Sequence, residues 1–162
     1  MKIAVYPGSF DPITNGHLDI LKRASRIFDK IYITVLENSA KASSALFTVS
    51  ERVEMIKLAA SEIDNVEVRS FSGLLVNFAE EVGARYIVKG IRAVSDFDYE
   101  FQMAVTNRDL SDKVETLLLP AGKKYMFLSS SIVKEVGRLG GELSEFVPQQ
   151  IIDTVKEKLK GA

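Results

Sequence analysis

Short apolar runs alternate with stretches of helical period from one end of this chain to the other. The β-type runs lie at 3–6, 31–36, 66–69, 85–88 and 115–119. The helical patterns lie at 16–28, 50–60, 74–82, 96–110, 130–139 and 148–159. Strands that alternate with helices cannot pair as hairpins. They form a parallel sheet with helices on both faces, a doubly wound α/β fold of five strands. No repeat, low-complexity tract or interdomain linker breaks the series, so residues 1–162 read as one domain. Gly140 and Gly141 read as a helix stop. In such sheets ligands sit beyond the carboxyl ends of the strands, at the point where the strand order reverses. The loops after the first, second, fourth and fifth strands are therefore where function is expected.

The first of these loops is the most informative. The run Tyr6-Pro7-Gly8-Ser9-Phe10-Asp11-Pro12-Ile13-Thr14-Asn15-Gly16-His17 leaves a buried strand, turns, and enters a helix marked by Leu18, Leu21, Ala24, Ile27 and Phe28. A helix start presents free N–H groups and a partial positive charge, which suit phosphate. Gly8 and Ser9 let a ligand approach the backbone. His17 is the one histidine of the chain. The dipole there disfavours imidazolium, and the neutral ring still donates one hydrogen bond. The same stretch would also serve as the plain first unit of an α/β domain.

Two further loops carry candidate anion sites. Lys89-Gly90-Ile91-Arg92 leaves the fourth strand, is expected to turn at Gly90, and enters a helix near Ser95 or Asp96. Ser129-Ser130-Ser131 precedes helical spacing at Ile132, Val133, Val136 and Leu139. One serine suffices for an N-cap, so three hydroxyls at a helix start suggest a second phosphate site. The loop after the second strand holds a single cation, Lys41. Leu74, Leu75 and Phe78 read most simply as core.

Composition narrows the classes. The net charge is -1 and no long basic run appears, which argues against nucleic acid as the partner. There is no cysteine, hence neither a disulfide nor a cysteine metal site. No apolar run approaches the ~20 residues of a membrane span. The start is broken too soon for a signal peptide, and a cytoplasmic location is expected. No phosphate loop of the G-x-x-x-x-G-K-[ST] type and no G-x-G-x-x-G after a strand occurs. No metal-ligand cluster is evident.

Gly8-Ser9-Phe10-Asp11-Pro12 followed by Thr14-Asn15-Gly16-His17 resembles the signature of the nucleotidyltransferase superfamily with the H/T-x-G-H motif. With Gly90-Ile91-Arg92, Tyr99-Glu100 and Ser129-Ser130-Ser131, nearly the whole chain resembles the bacterial phosphopantetheine adenylyltransferase family. The resemblance implies a Rossmann-like nucleotidyltransferase fold and adenylyl transfer from ATP to 4′-phosphopantetheine. It implies His17 on the α-phosphate as transition-state stabiliser. Ser9, Lys41 and Lys89 fall to the acceptor phosphate, and Leu75 to the pantetheine arm. Arg92, Ser129, Ser130 and Ser131 fall to the β- and γ-phosphates. Phe10, Gly90, Ile91, Glu100, Tyr125, Met126, Phe127 and Leu128, together with Ser9, complete the ATP site. Mg²⁺ is expected on the triphosphate, with no protein ligand named. A homohexamer and feedback by coenzyme A follow from the same resemblance. The family usually places arginine where Lys89 stands, and lysine is a point charge without arginine's bidentate fork. Two other readings remain open. One is a relative that uses nicotinate mononucleotide or a small alcohol phosphate as acceptor. The other is a nucleotide sensor without catalysis.

Overall fold

The computed structural model describes residues 1–37 and 45–161, with the side chains of Val94 and Ser95 excepted. Lys41 lies outside the described residues. Five strands, β1 (Ile3–Gly8), β2 (Lys30–Leu36), β3 (Val66–Phe71), β4 (Tyr86–Ile91) and β5 (Glu115–Pro120), form one sheet in the order β3-β2-β1-β4-β5. All neighbours are parallel. The helices between and after them are α1 (Asn15–Ser25), α2 (Val49–Ala59), α3 (Leu75–Glu81), α4 (Val94–Leu110), α5 (Ser130–Arg138) and α6 (Ile152–Lys160). The doubly wound architecture expected from the alternation is the one observed.

Successive strand residues point to opposite faces, and this divides the core. Ala4, Tyr6, Ile31, Ile33 and Val88 join the larger cluster, with apolar residues of α1, α2, α5 and α6. Val5 and Ile87, on the other face, join a smaller cluster with Phe78 and Ala79 of α3. Burial on both faces explains why these strands are continuous apolar runs rather than alternating ones.

The elements differ from the sequence reading mainly at their ends. β4 runs on through Lys89, Gly90 and Ile91, so the expected turn at Gly90 falls instead after Ile91. Gly90 pairs opposite Leu119 of β5. A Cβ at Gly90 would lie 3.1 Å from the Ile20 side chain, so the missing side chain is space that α1 fills. The segment starting at Pro148 opens with a short 3₁₀ turn, Gln149–Ile151, before α6.

Candidate active site

The site begins where two central strands part. β1 pairs with β2 along its whole length, from Ile3 to Gly8. It pairs with β4 only at Ala4 opposite Tyr86 and Val5 opposite Ile87. Beyond Val5 the two strands separate, at the point where the chain after β1 runs to β2 and the chain after β4 runs to β5, toward opposite edges of the sheet. The gap is a cavity of about 320 Å³. Tyr6, Gly8 and Ser9 line it from β1 and its loop, and Lys89, Gly90 and Arg92 from β4. Two helix starts, α1 with His17 and α5 with Ser129 to Ser131, face the same space.

The α1 start is a closed cap. The Thr14 hydroxyl accepts from the His17 N–H at 3.3 Å, and His17 Nδ1 accepts from the Thr14 N–H at 3.0 Å. This is a capping box with histidine at the position usually held by glutamate or glutamine. Its chemical consequence is a fixed tautomer. A backbone N–H has no lone pair, so Nδ1 must be the acceptor and the ring proton rests on Nε2. Burial, with the positive charges of Arg92 and Lys89 nearby, lowers the His17 pKa to about 4. At neutral pH the ring is therefore uncharged and donates through Nε2.

Phe10 forms the floor beside it. Its ring is 1% exposed and meets the His17 ring edge-on, with centroids 5.1 Å apart. It also meets Tyr6 edge-on at 5.5 Å. Phe10 has φ 47°, the left-handed region that a side chain disfavours by roughly 1–2 kcal/mol. A Cβ on Gly8 would fall 2.8 Å from the Phe10 ring, so the glycine is required by that close approach.

The α5 start is more open. The Ser129 hydroxyl caps the helix by accepting from the Ile132 N–H at 3.2 Å. The Ser130 hydroxyl donates to the Pro12 carbonyl at 2.8 Å, which ties α5 to the loop after β1. Ser131 is exposed. Capping thus leaves the Ser129 proton, the Ser131 hydroxyl and first-turn N–H groups for an anion.

The two cations are held differently. Lys89 pairs with Glu100 at 3.3 Å, long for a charge-assisted hydrogen bond. The other carboxylate oxygen of Glu100 is buried without a partner among the described residues. Arg92 donates Nε to Asp96 at 2.9 Å and Nη1 to the Leu128 carbonyl at 2.9 Å. These two bonds do not exhaust it, since a guanidinium carries five N–H groups.

Of the other residues named from sequence, Tyr125 and Leu128 line the cavity. Ile91, Met126 and Phe127 do not line it, and Phe127 is 81% exposed. Leu75 packs against the smaller core cluster. Ile20 and Ala121 line the cavity and went unnoticed in the sequence, where nothing marks them. The role of Thr14 was also missed, although its spacing of three residues from His17 was there to read. Among the described residues the cavity is lined by several hydrogen-bond donors, two cations and one carboxylate, Glu100. Such a lining suits phosphate groups.

A family model described as cytidylyltransferase-like matches residues 5–136, and the chain belongs to that class of nucleotidyltransferases. The chain is 52% identical over 160 residues to the phosphopantetheine adenylyltransferase of Caldanaerobacter subterraneus subsp. tengcongensis, covering 99% of each chain. It is 51% identical over 158 residues to that of Alkaliphilus metalliredigens, covering 98% of this chain and 99% of the other. Within the class, therefore, it is a member of the phosphopantetheine adenylyltransferase family. Among solved structures, a putative nicotinate-nucleotide adenylyltransferase from Vibrio parahaemolyticus shares the fold. It aligns with TM-score 0.69 and 17% identity, covering 99% of this chain and 93% of that one. A bifunctional NMN adenylyltransferase/ADP ribose pyrophosphatase from Francisella tularensis aligns with TM-score 0.72 and 13% identity, covering 98% and 49%.

Proposed function

We propose that this chain transfers the adenylyl group of ATP to 4′-phosphopantetheine, giving dephospho-coenzyme A and pyrophosphate, the penultimate step of coenzyme A biosynthesis. The observation that carries the reading is the parting of β1 and β4 between two helix starts, with Lys89 and Arg92 on its wall. An oxygen of the acceptor phosphate attacks the α-phosphorus in line. The bond from that phosphorus to the bridging oxygen breaks, and pyrophosphate leaves with the electron pair. One phosphoanhydride replaces another, so the step is reversible. The attacking phosphate is already largely dianionic at pH 7, with its second pKa near 6, and no general base is needed. Catalysis is then positioning of two repelling anions and stabilisation of spreading charge.

In this reading His17 Nε2–H donates to a non-bridging oxygen of the α-phosphate. Because the ring is neutral, it adds no fixed charge to ground-state binding. Its hydrogen bond strengthens as charge grows in the transition state. Lys89 exchanges its long contact with Glu100 for the acceptor phosphate, beside Ser9, with Lys41 assigned to the same anion. Arg92 and the serines of α5 take the β- and γ-phosphates. Gly90 and Ile91 border the nucleotide through their backbone, and Phe10, Glu100 and the segment 125–128 place the nucleoside. Leu75 is assigned to the pantetheine arm.

ATP is proposed to enter as its magnesium complex. Among the described residues no group of three His, Cys, Asp or Glu side chains could hold a metal. The ion is proposed to ride on phosphate oxygens and its own waters, as magnesium prefers, and no protein ligand is assigned.

The same reading makes the assembly a homohexamer in the cytoplasm, with coenzyme A as feedback inhibitor. Phe97, Tyr99, Phe101 and Val105 of α4 are 42–63% exposed, an apolar surface that supports self-association. Coenzyme A carries the arm of the acceptor and the nucleotide of the product, so it would compete for both. Among the described residues no helix is long and apolar enough to cross a membrane.

The test is pyrophosphate release from ATP and Mg²⁺ with and without 4′-phosphopantetheine, and with nicotinate mononucleotide in its place. Release that depends on 4′-phosphopantetheine, with dephospho-coenzyme A identified by mass, is the expected result. Release only with another acceptor, or ATP binding without release, overturns it. Light scattering tests the hexamer.

A further inference from the structure

Two buried charged residues, Asp11 and Arg52, have no part in the chemistry above, although both grip the loop that forms the cavity floor. Asp11 is 6% exposed. Its Oδ1 accepts from the Phe47 N–H at 2.9 Å. Its Oδ2 accepts from the Leu46 N–H at 3.0 Å and from Lys134 Nζ of α5 at 2.8 Å. Arg52 of α2 is also 6% exposed. It donates Nη1 to the Ser9 carbonyl at 2.8 Å and Nε to the Thr48 carbonyl at 3.3 Å. The residue between these two grips is Phe10, held in the left-handed conformation. A strained turn persists only where its surroundings over-determine it. Here the peptide before Phe10 is held through Ser9 by Arg52, and the residue after it is held by Asp11.

We propose that Asp11 and Arg52 are positioning residues: they lock the Ser9-Phe10 turn between α2 and α5, and so fix the Phe10 ring against His17 and hold Ser9 in the cavity wall. The inference deepens the transfer reading and rests on it for its kinetic consequences. If the lock fails, the turn relaxes and the Phe10 ring leaves the edge of His17. Misplacement by about 1 Å in such a site costs on the order of 10² in rate.

The test uses the full chain with Arg52→Met, Arg52→Lys and the double variant D11N/K134M, which removes the buried cation along with its partner. Turnover is measured with ATP and 4′-phosphopantetheine varied separately, well below each variant's melting temperature. The imidazole proton shifts of His17 are read in parallel by NMR; as the one histidine of the chain its two ring signals are assigned without ambiguity. Arg52→Met is expected to lower kcat about 10²-fold, with a smaller change in the Michaelis constant for ATP. The His17 signal should move as the ring current of Phe10 is lost. Arg52→Lys, which keeps one donor for Ser9, should restore most of both. Folded Arg52→Met and D11N/K134M proteins with wild-type kcat and an unmoved His17 signal would overturn the proposal. If the unaltered protein releases no pyrophosphate with the acceptor, the transfer reading falls, and the His17 signal alone then decides whether the lock exists.

Discussion

The starts of α1 and α5 face the same cavity and are built on opposite plans. At α1 the cap is reciprocal: Thr14 and His17 satisfy each other, and the histidine's acceptor nitrogen is consumed in the process. What is left is one oriented, neutral donor. At α5 the cap uses only one lone pair of Ser129, and an exposed hydroxyl stands beside it. The first arrangement suits a group that must meet a specific atom as charge develops. The second suits a flexible chain of phosphates that is bound but not transformed. A helix N-terminus is therefore not one kind of anion site: how the cap is satisfied sets which donors remain and how firmly they are aimed.

The largest effect is expected from His17→Gln. Glutamine at the third helical position can still accept from the Thr14 N–H, so the helix start should survive. Turnover should fall by about 10²–10³ with the melting temperature nearly unchanged. If kcat stays high, α1 is only another binding site. Thr14→Ala should come next. It removes the cap hydroxyl at a cost of about 1 kcal/mol in stability, seen as a lower denaturant midpoint. It also removes the hydroxyl that lies 3.1 Å from His17 Nδ1 and so loosens the ring, with about a tenfold loss in kcat, the equivalent of one net hydrogen bond.

Ser129→Ala should sharpen the contrast from the other side. Its cost in stability is again about 1 kcal/mol. Its kinetic effect should fall on the Michaelis constant for ATP, raised several-fold, rather than on kcat. An equal loss in kcat would mean that the two helix starts act alike.

A further effect appears only in the pH dependence, below neutral pH. The His17 pKa is lowered from 6.5 to about 4 in the fold, through burial first and then through Arg92 and Lys89. The unfolded chain gains a proton below about pH 6.5 that the folded ring refuses until about pH 4. Unfolding therefore takes up protons in that window, and stability falls as the pH is lowered through it, with the full contribution present above it. His17→Gln should flatten that part of the stability curve. The NMR titration of His17 should show a midpoint near 4 and no step between pH 6 and 8.

The two helix starts also differ in how far they could be read in the chain. The strand-loop-helix at Thr14 to His17 and the serines before α5 are local patterns, and both were visible as helix starts. That Thr14 locks the tautomer of His17 is local too, since the pair lies three residues apart. Histidine is not the usual partner in such a cap, so the spacing alone does not announce it. Asp11 stood in plain view beside Pro12. Nothing near it shows that its carboxylate reaches Leu46, Phe47 and Lys134, which lie 35 to 123 residues away.

By itself the sequence determined the strands, the helices and the parallel sheet, because apolar period and capping residues act within a few positions of one another. It also supplied the anion-binding residue types and, through resemblance, the family. The tertiary structure alone decided that β1 and β4 part beyond Val5, that Gly90 continues β4 with Ile20 in its missing side-chain space, and that Leu74, read as core beside Leu75 and Phe78, is 53% exposed. It also decided which side chains hold Phe10 in its strained turn. Those outcomes depend on contacts between segments distant in the chain. Their free energy comes from packing and burial, which no local spacing records.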